Sequence, residues 1–188
     1  MNRVHNLVCS SGWWSRTVER ELLPWGLAGV EPGEEVLEFG PGFGATTRVL
    51  AERPGRLDVL ELEPRYCERL ERELPRTVTV TQGDAGAMPF GDGSFSGVLC
   101  FTMLHHLPTP ELQDRAFAET YRVLRPGGVF AGTDSIGTGS VFKLIHIGDT
   151  LNPIDPGALP ARLERAGFGD VKVSAAKRSF RFQARRPS

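Results

Sequence analysis

The sequence predicts an α/β fold: a doubly wound, mostly parallel sheet with helices on both faces and an antiparallel hairpin at its C-terminal edge. Three observations carry this. Strand-like and helix-like segments alternate through most of the chain, an order that calls for parallel strands joined by covering helices. The run Val36–Thr47 ends a short apolar strand in glycines at alternate positions, Gly40, Gly42 and Gly44, and passes directly into helix-compatible sequence. The last two strand-like stretches stand too close together for a crossover helix, so they pair as a hairpin.

Each element has its own signal. Residues 1–35 form an N-terminal helical extension, in which Ser10–Leu23 makes one amphipathic helix stopped by Pro24. Trp13, Trp14 and Trp25 are expected to anchor it by burying large aromatic surface. Leu57–Glu61 is the second strand. Its helix runs from Pro64 to Glu73, with Glu63 as N-cap and proline at the first helical position. The β-branched run Thr77–Thr81 is the third strand, and Gly97–Phe101 a buried fourth. Thr109-Pro110 opens a helix with Leu112, Ala116, Thr120 and Val123-Leu124 on one side. Arg125-Pro-Gly-Gly128 ends it, and Val129–Thr133 is the fifth strand. Asp155-Pro156 resembles an N-cap with a first-turn proline, and that helix runs to Ala166 with Gly167 as its stop. Val171–Ser174 and Ser179–Gln183 are the hairpin strands. Ser135–Pro153 interrupts the alternation as a pocket-covering insertion, and residues 1–188 make a single domain.

Composition narrows the function. A chain of 188 residues, 40% hydrophobic and 24% charged, suits one domain with a sizeable core. A net charge of −1 gives no general attraction to nucleic acid or an anionic membrane. Cys9, Cys67 and Cys100 are scattered and odd in number, so they form neither a disulfide framework nor a metal cluster. No metal site is expected, and His5 and His146 have no carboxylate or thiol constellation around them. The N-terminus shows neither a signal-peptide core nor a long apolar span. A cytoplasmic protein is expected, with its oligomeric state left open.

Ligands of open α/β sheets bind beyond the carboxyl ends of the strands, where strand order reverses. The glycine turn lies at the end of the first strand, where a helix N-terminus presents unpaired N–H groups. Glu61 ends the second strand, where a carboxylate can accept from both hydroxyls of a ribose. Asp84, in the turn Gln82–Ala85 after the third strand, can accept from an exocyclic adenine amine. Gly40, Gly42 and Ala45 also satisfy the loose G-x-G-x-x-A dinucleotide fingerprint, which motivates a nicotinamide-dependent oxidoreductase as a rival. Against that rival, no Tyr-x-x-x-Lys or similar hydride-transfer constellation is visible.

Leu37–Gly44, Glu61–Pro64, Gly83–Ala85 with Met88–Phe95, Leu104–Leu107, Val123–Gly128 and Ala166–Phe168 occur in an order that resembles the class I S-adenosylmethionine-dependent methyltransferases, in particular the small single-domain type 11 group. The resemblance covers about residues 34–184 and implies a Rossmann-like fold. It implies that the motif with Glu38, Gly40, Gly42 and Gly44 lies against the methionine and ribose part of S-adenosylmethionine. It further implies Glu61 on the ribose, Leu62 beside the adenine, Asp84 and Ala85 at the adenine edge, and Phe101 near the methionine moiety. The product would be S-adenosylhomocysteine. One departure is Ser96, where the family usually carries an acidic residue; the change bears on local capping or sheet-edge contacts.

The acceptor side is less defined. His105 and His106 are general-base candidates, equally able to pack, cap a helix or line a pocket. Asp134 is a candidate for orienting an acceptor. The pocket would be built from the N-terminal helix, the His105–Leu107 junction and the Ser135–Pro153 insertion. A small-molecule methyl acceptor is expected, with no nucleic acid or membrane partner. The basic C-terminal segment (Lys177, Arg178, Arg181, Arg185, Arg186) is taken as mostly a solvated face, with a phosphate-bearing substrate or RNA as the alternative. A non-catalytic S-adenosylmethionine-binding module is the alternative of another class.

Overall fold

The computed structural model describes residues 7, 10–53, 55–137, 148 and 150–188. Seven strands form one sheet in the order β3-β2-β1-β4-β5-β7-β6: β1 (Glu35–Phe39), β2 (Arg56–Glu61), β3 (Val78–Gln82), β4 (Phe95–Phe101), β5 (Leu124–Ser135), β6 (Gly169–Ala175) and β7 (Ser179–Arg185). The first five run parallel. β7 is antiparallel to both β5 and β6. Strand order reverses between β1 and β4, and this is where the site should lie.

Two apolar layers sandwich the sheet. On one face Leu57, Val59, Leu99, Phe101, Val129 and Ala131 meet Leu23 and Leu27 of the N-terminal segment, Leu50 of α3 (Ala45–Leu50), and Leu70 of α4 (Pro64–Glu73). On the other, Leu37, Phe39, Val98, Cys100 and Phe130 meet Ala116 and Phe117 of α5 (Pro110–Val123) and Leu163 of α6 (Leu159–Arg165). Since alternate strand residues point to opposite faces, the strands read as near-continuous apolar runs, as a doubly covered sheet requires. Thr109 caps α5, its hydroxyl accepting from Leu112 N–H, with Pro110 at the helix start. Ser96 ties β4 to the entry of β1: its Oγ accepts from Glu35 N–H at 3.0 Å and lies 2.8 Å from Pro32 O.

The structure corrects several expectations. The N-terminal helix does not stop at Pro24. It runs from α1 (Gly12–Thr17) through a π-helical turn, Val18–Leu22, into α2 (Leu23–Gly26). Proline lacks an N–H and its ring clashes with the carbonyl four residues back. The wider turn, with Leu23 N–H donating to Val18 O, passes the proline without breaking the helix. Trp13 is 65% exposed rather than an anchor, because the buried stripe of this segment is Val18, Leu23, Gly26 and Leu27. α6 begins at Leu159, not at Pro156. Asp155 instead closes the preceding turn, its side chain accepting from Gly157 and its carbonyl from Ala158 and Leu159.

In the basic C-terminal run Lys177, Arg178 and Arg185 are exposed, as expected of a mostly solvated face, while Arg181 and Arg186 are half-buried. Arg186 Nη1 donates to the carbonyls of Tyr121, Arg122 and Leu124 at the end of α5. Arg181 donates to Trp25 O at the end of α2, and Arg185 to Gly127 O. Helix C-termini collect unpaired carbonyls and partial negative charge, which guanidinium groups satisfy. Of the Ser135–Pro153 insertion, residues 138–147 and 149 fall outside the described residues, as do Cys9, His5 and His146.

Candidate functional site: the strand-end rim

The glycine turn takes the form its residues demand. Gly40, Gly42 and Gly44 have φ of 69°, 54° and 70°, a region that costs other L-residues about 1–2 kcal/mol each. A Cβ on Gly40 would meet Met103 Cγ at 2.1 Å, whereas one on Gly42 would have nothing within 4 Å. Gly40 is therefore held by protein on its far side, and Gly42 faces open space. Gly40 N–H donates to Leu60 O at 2.8 Å, which fixes the turn to the end of β2.

Two carboxylates support this turn from the face covered by α3 and α4. Glu38 is 1% exposed and lies beneath it. One oxygen accepts from Thr46 Oγ1 and the other from Thr47 Oγ1, the latter at 2.6 Å, so Glu38 ties β1 to the first turn of α3. Burial pushes its carboxyl up to about 7, despite the opposing pull of the two hydroxyls. Glu61 ends β2 and is buried; Oε2 accepts from Gly42 N–H and Oε1 from Glu63 N–H, both at 3.0 Å. Each oxygen keeps a second lone pair for a further donor. Leu62 beside it is 59% exposed, an apolar side chain presented at the rim.

The remaining predicted contacts occupy the same rim. Asp84 is exposed, with Oδ1 accepting from Gly86 N–H at 2.8 Å to close its own turn, and Ala85 is buried behind it. Phe101 ends β4, buried against Gly26, whose Cβ would lie 2.9 Å from the ring. The N-terminal helix is thus packed directly onto the β4 end. Thr102, the next residue, has φ of 52° and donates its N–H to Thr133 O.

On the opposite face, His105 lies in the 3-10 turn Leu104–His106 and is 3% exposed. Its Nδ1 is hydrogen-bonded to Asp134 Oδ1, while Asp134 Oδ2 accepts from His105 N–H at 2.9 Å. Asp134 Oδ1 also accepts from Ser135 N–H at 2.7 Å. His106 is half-buried, its ring centroid 4.2 Å from that of His105. Asp134 therefore addresses His105, not open space.

Some supporting residues escaped the sequence. Gln113 is buried in α5 and donates to Leu104 O and to Asn152 O at 3.0 and 2.8 Å, while accepting from Arg162. Asn152 donates its N–H to His105 O at 2.7 Å and its side-chain amide to Leu107 O. No local signal identifies either one. Thr46 and Thr47 offered a partial signal, as two adjacent hydroxyls in the first turn after the glycine loop, though such hydroxyls also serve as local backbone partners. Among the described residues no group of three or more His, Cys, Asp or Glu could hold a metal ion. Among them, too, no helix is long and apolar enough to cross a membrane.

A family model described as a methyltransferase domain matches residues 37–132. An uncharacterized methyltransferase of Synechocystis sp. is 34% identical over 112 residues, covering 60% of this chain and 52% of its own. The ubiquinone/menaquinone biosynthesis C-methyltransferase of Legionella pneumophila is 30% identical over 136 residues, covering 68% and 50%. This chain spans about half the length of the curated relatives it matches. A methyltransferase solved in complex with the Haloferax volcanii Trm112 methyltransferase activator has the same fold. Its TM-score is 0.76 at 17% identity, with 100% of this chain and 99% of that one covered.

Proposed function

Because the chain belongs to this methyltransferase domain family, with S-adenosylmethionine as its cofactor, we propose that it moves the methyl group to a compact small-molecule acceptor by direct in-line transfer. The observation that carries the proposal is the open side of the glycine turn. Gly42 faces free space next to the lone pairs of Glu61 and the exposed Leu62, at the point where strand order reverses. These groups fit a nucleoside with an attached zwitterion: backbone for close approach, a carboxylate for ribose hydroxyls, an apolar surface for the base.

In this reading Gly40, Gly42 and Gly44 hold the methionine and ribose portion and Glu61 accepts from the ribose. Leu62, Asp84 and Ala85 border the adenine, and Phe101 the methionine moiety. Glu38 acts one layer below, keeping α3 locked to β1. When bound, the cofactor supplies a sulfonium methyl carbon that is already a strong electrophile and leaves behind a neutral thioether. The chain's task is then alignment and exclusion of water, rather than covalent catalysis. The N-terminal helix, pinned onto Phe101 and by Arg181, covers one side of the rim. A base is needed only where the acceptor must lose a proton, and His105 and His106 are the candidates.

A compact acceptor is favoured by the net charge of −1, which gives no general attraction to nucleic acid. The Legionella relative's name also points to a quinone-type acceptor. A cytoplasmic location accords with the free thiols of Cys67 and Cys100. Incubation with methyl-labelled S-adenosylmethionine and a cell extract split by size tests the acceptor class. Label is expected in the low-molecular-weight fraction; label confined to protein or RNA would refute it. A second reading, dependence on a protein activator, is favoured by the fold shared with the Trm112-bound methyltransferase. It predicts that the isolated chain is inactive until such a partner is added.

A further inference from the structure

A cavity of about 210 Å³ opens over β5, β6 and β7, where the N-terminal segment ends at Gly29 and Val30. Val30 and Val129 are its buried apolar lining; Asp170, Lys172, Gln183 and Arg185 are its polar lining. Strand pairing explains the grouping. Gln183 stands opposite both Ala131 and Lys172, and Arg185 opposite Val129. Residues paired across strands share a face, and Val129 and Ala131 belong to the layer under the N-terminal segment. Here the β6–β7 register slips. Gly169 pairs with Arg185 and Lys172 with Gln183, so Asp170 and Val171 both stand opposite the single Ala184. Asp170 takes φ of 50°, a left-handed conformation that few side chains adopt. Such bulges re-aim a side chain, and this one brings an acid to a cavity that two cations also line.

The three charges do not neutralise one another. Arg185 donates Nη1 to Gly127 O and keeps four other N–H groups. Among the described residues, the side chains of Asp170 and Lys172 make no hydrogen bond or ion pair. An acid and two bases that line one cavity without pairing leave room for a ligand with a pole of each sign.

We propose that this cavity binds a small zwitterion, with its ammonium on Asp170 and its carboxylate or phosphate on Lys172 and Arg185. The guanidinium fork matches either oxyanion edge, and the lysine adds a point charge. Gln183 can serve both poles, since its amide donates and accepts. The volume falls below the roughly 300–1,000 Å³ of pockets for drug-sized ligands, which sets the occupant at the size of an amino acid. Val129 pairs with Gly97 near the start of β4, about 13 Å along β5 from Thr133 at the rim. The zwitterion is therefore a second ligand and not the methyl acceptor, and the proposal stands apart from the methyl-transfer reading.

The test is calorimetric titration with 4-aminobutyrate and 3-aminopropyl phosphate, against butyrate, inorganic phosphate and butylamine as probes with a single pole. It uses the wild-type chain, Asp170→Asn, Lys172→Ala and Arg185→Ala; asparagine tolerates the left-handed φ at 170. At least one zwitterion is expected to bind about tenfold more tightly than every single-pole probe. The tighter of the two identifies the anionic pole. Asp170→Asn should remove that advantage, and each cation variant should weaken the zwitterion about tenfold. S-adenosylhomocysteine affinity should stay within about threefold throughout, which shows the variants folded and the two sites separate. Binding of neither zwitterion, an equal affinity for butyrate or inorganic phosphate, or unchanged affinity in the variants would each overturn the proposal. So would a parallel loss of S-adenosylhomocysteine binding in Asp170→Asn.

Discussion

The rim over β1 and β2 is organised by backbone, and the rim over β4 and β5 by side chains. In the first, left-handed glycines shape a turn whose N–H groups are collected by Leu60 O and Glu61, and one side stays open. In the second, a buried carboxylate, a histidine and two amide side chains close on one another across distant segments. The two sit on opposite faces: Glu38 and Glu61 toward α3 and α4, Asp134 toward α5. A backbone-built rim can be specified by a few neighbouring residues, whereas a side-chain-built rim needs residues brought together from distant parts of the chain.

This contrast can be broken first at Gly40. Gly40→Val adds left-handed strain of about 1–2 kcal/mol and an overlap with Met103 worth about 1–3 kcal/mol. A fall in melting temperature of about 10 °C is expected, with loss of S-adenosylmethionine binding by calorimetry. A variant that still binds would mean that the turn's backbone does not shape the donor site. Gln113→Leu should do the reverse. It removes the ties to Leu104, Asn152 and Arg162, costing about 2–3 kcal/mol of stability in urea melts. Donor affinity should stay within threefold; a parallel loss would show the two rims to be one unit.

Glu38 sharpens the comparison through pH. Its folded carboxyl lies near 7 against an ordinary 4.5, so the folded chain binds more protons between those values. Stability therefore falls as pH rises from about 4.5 to about 7 and stays lower above. The loss is on the order of 3 kcal/mol. Glu38→Gln, which cannot ionise, should show a flatter stability profile between pH 5 and 8 than the wild type. Identical profiles would contradict the burial account.

Much of the rim over β1 and β2 was legible because its signals are local. Glycines at 40, 42 and 44, a strand ending at Glu61 and a turn at Asp84 are each visible in a few residues. The rim over β4 and β5 was visible only in part. His105 and Asp134 could each be suspected, but not their pairing across 29 residues, nor the role of Asn152, 39 residues from Gln113. Local signals also misled where packing prevailed. Pro24 marks a stop in most helices, yet a π-turn carries this one past it onto Phe101. The tryptophans looked like anchors, but the phase set by Val18 and Leu23 turns Trp13 outward. Of the C-terminal arginines, Arg178 and Arg185 stay exposed, whereas Arg181 and Arg186 are drawn to helix ends from distant segments.

The central claim is that the β1–β2 rim binds S-adenosylmethionine through its turn and Glu61. Calorimetric titration of the wild-type chain and Glu61→Ala with S-adenosylmethionine, S-adenosylhomocysteine and NAD tests it most directly. The account predicts binding of the first two and not of NAD, with Glu61→Ala weaker by about 1–3 kcal/mol through lost ribose hydrogen bonds. Binding of NAD alone, or an unchanged affinity in Glu61→Ala, would contradict it.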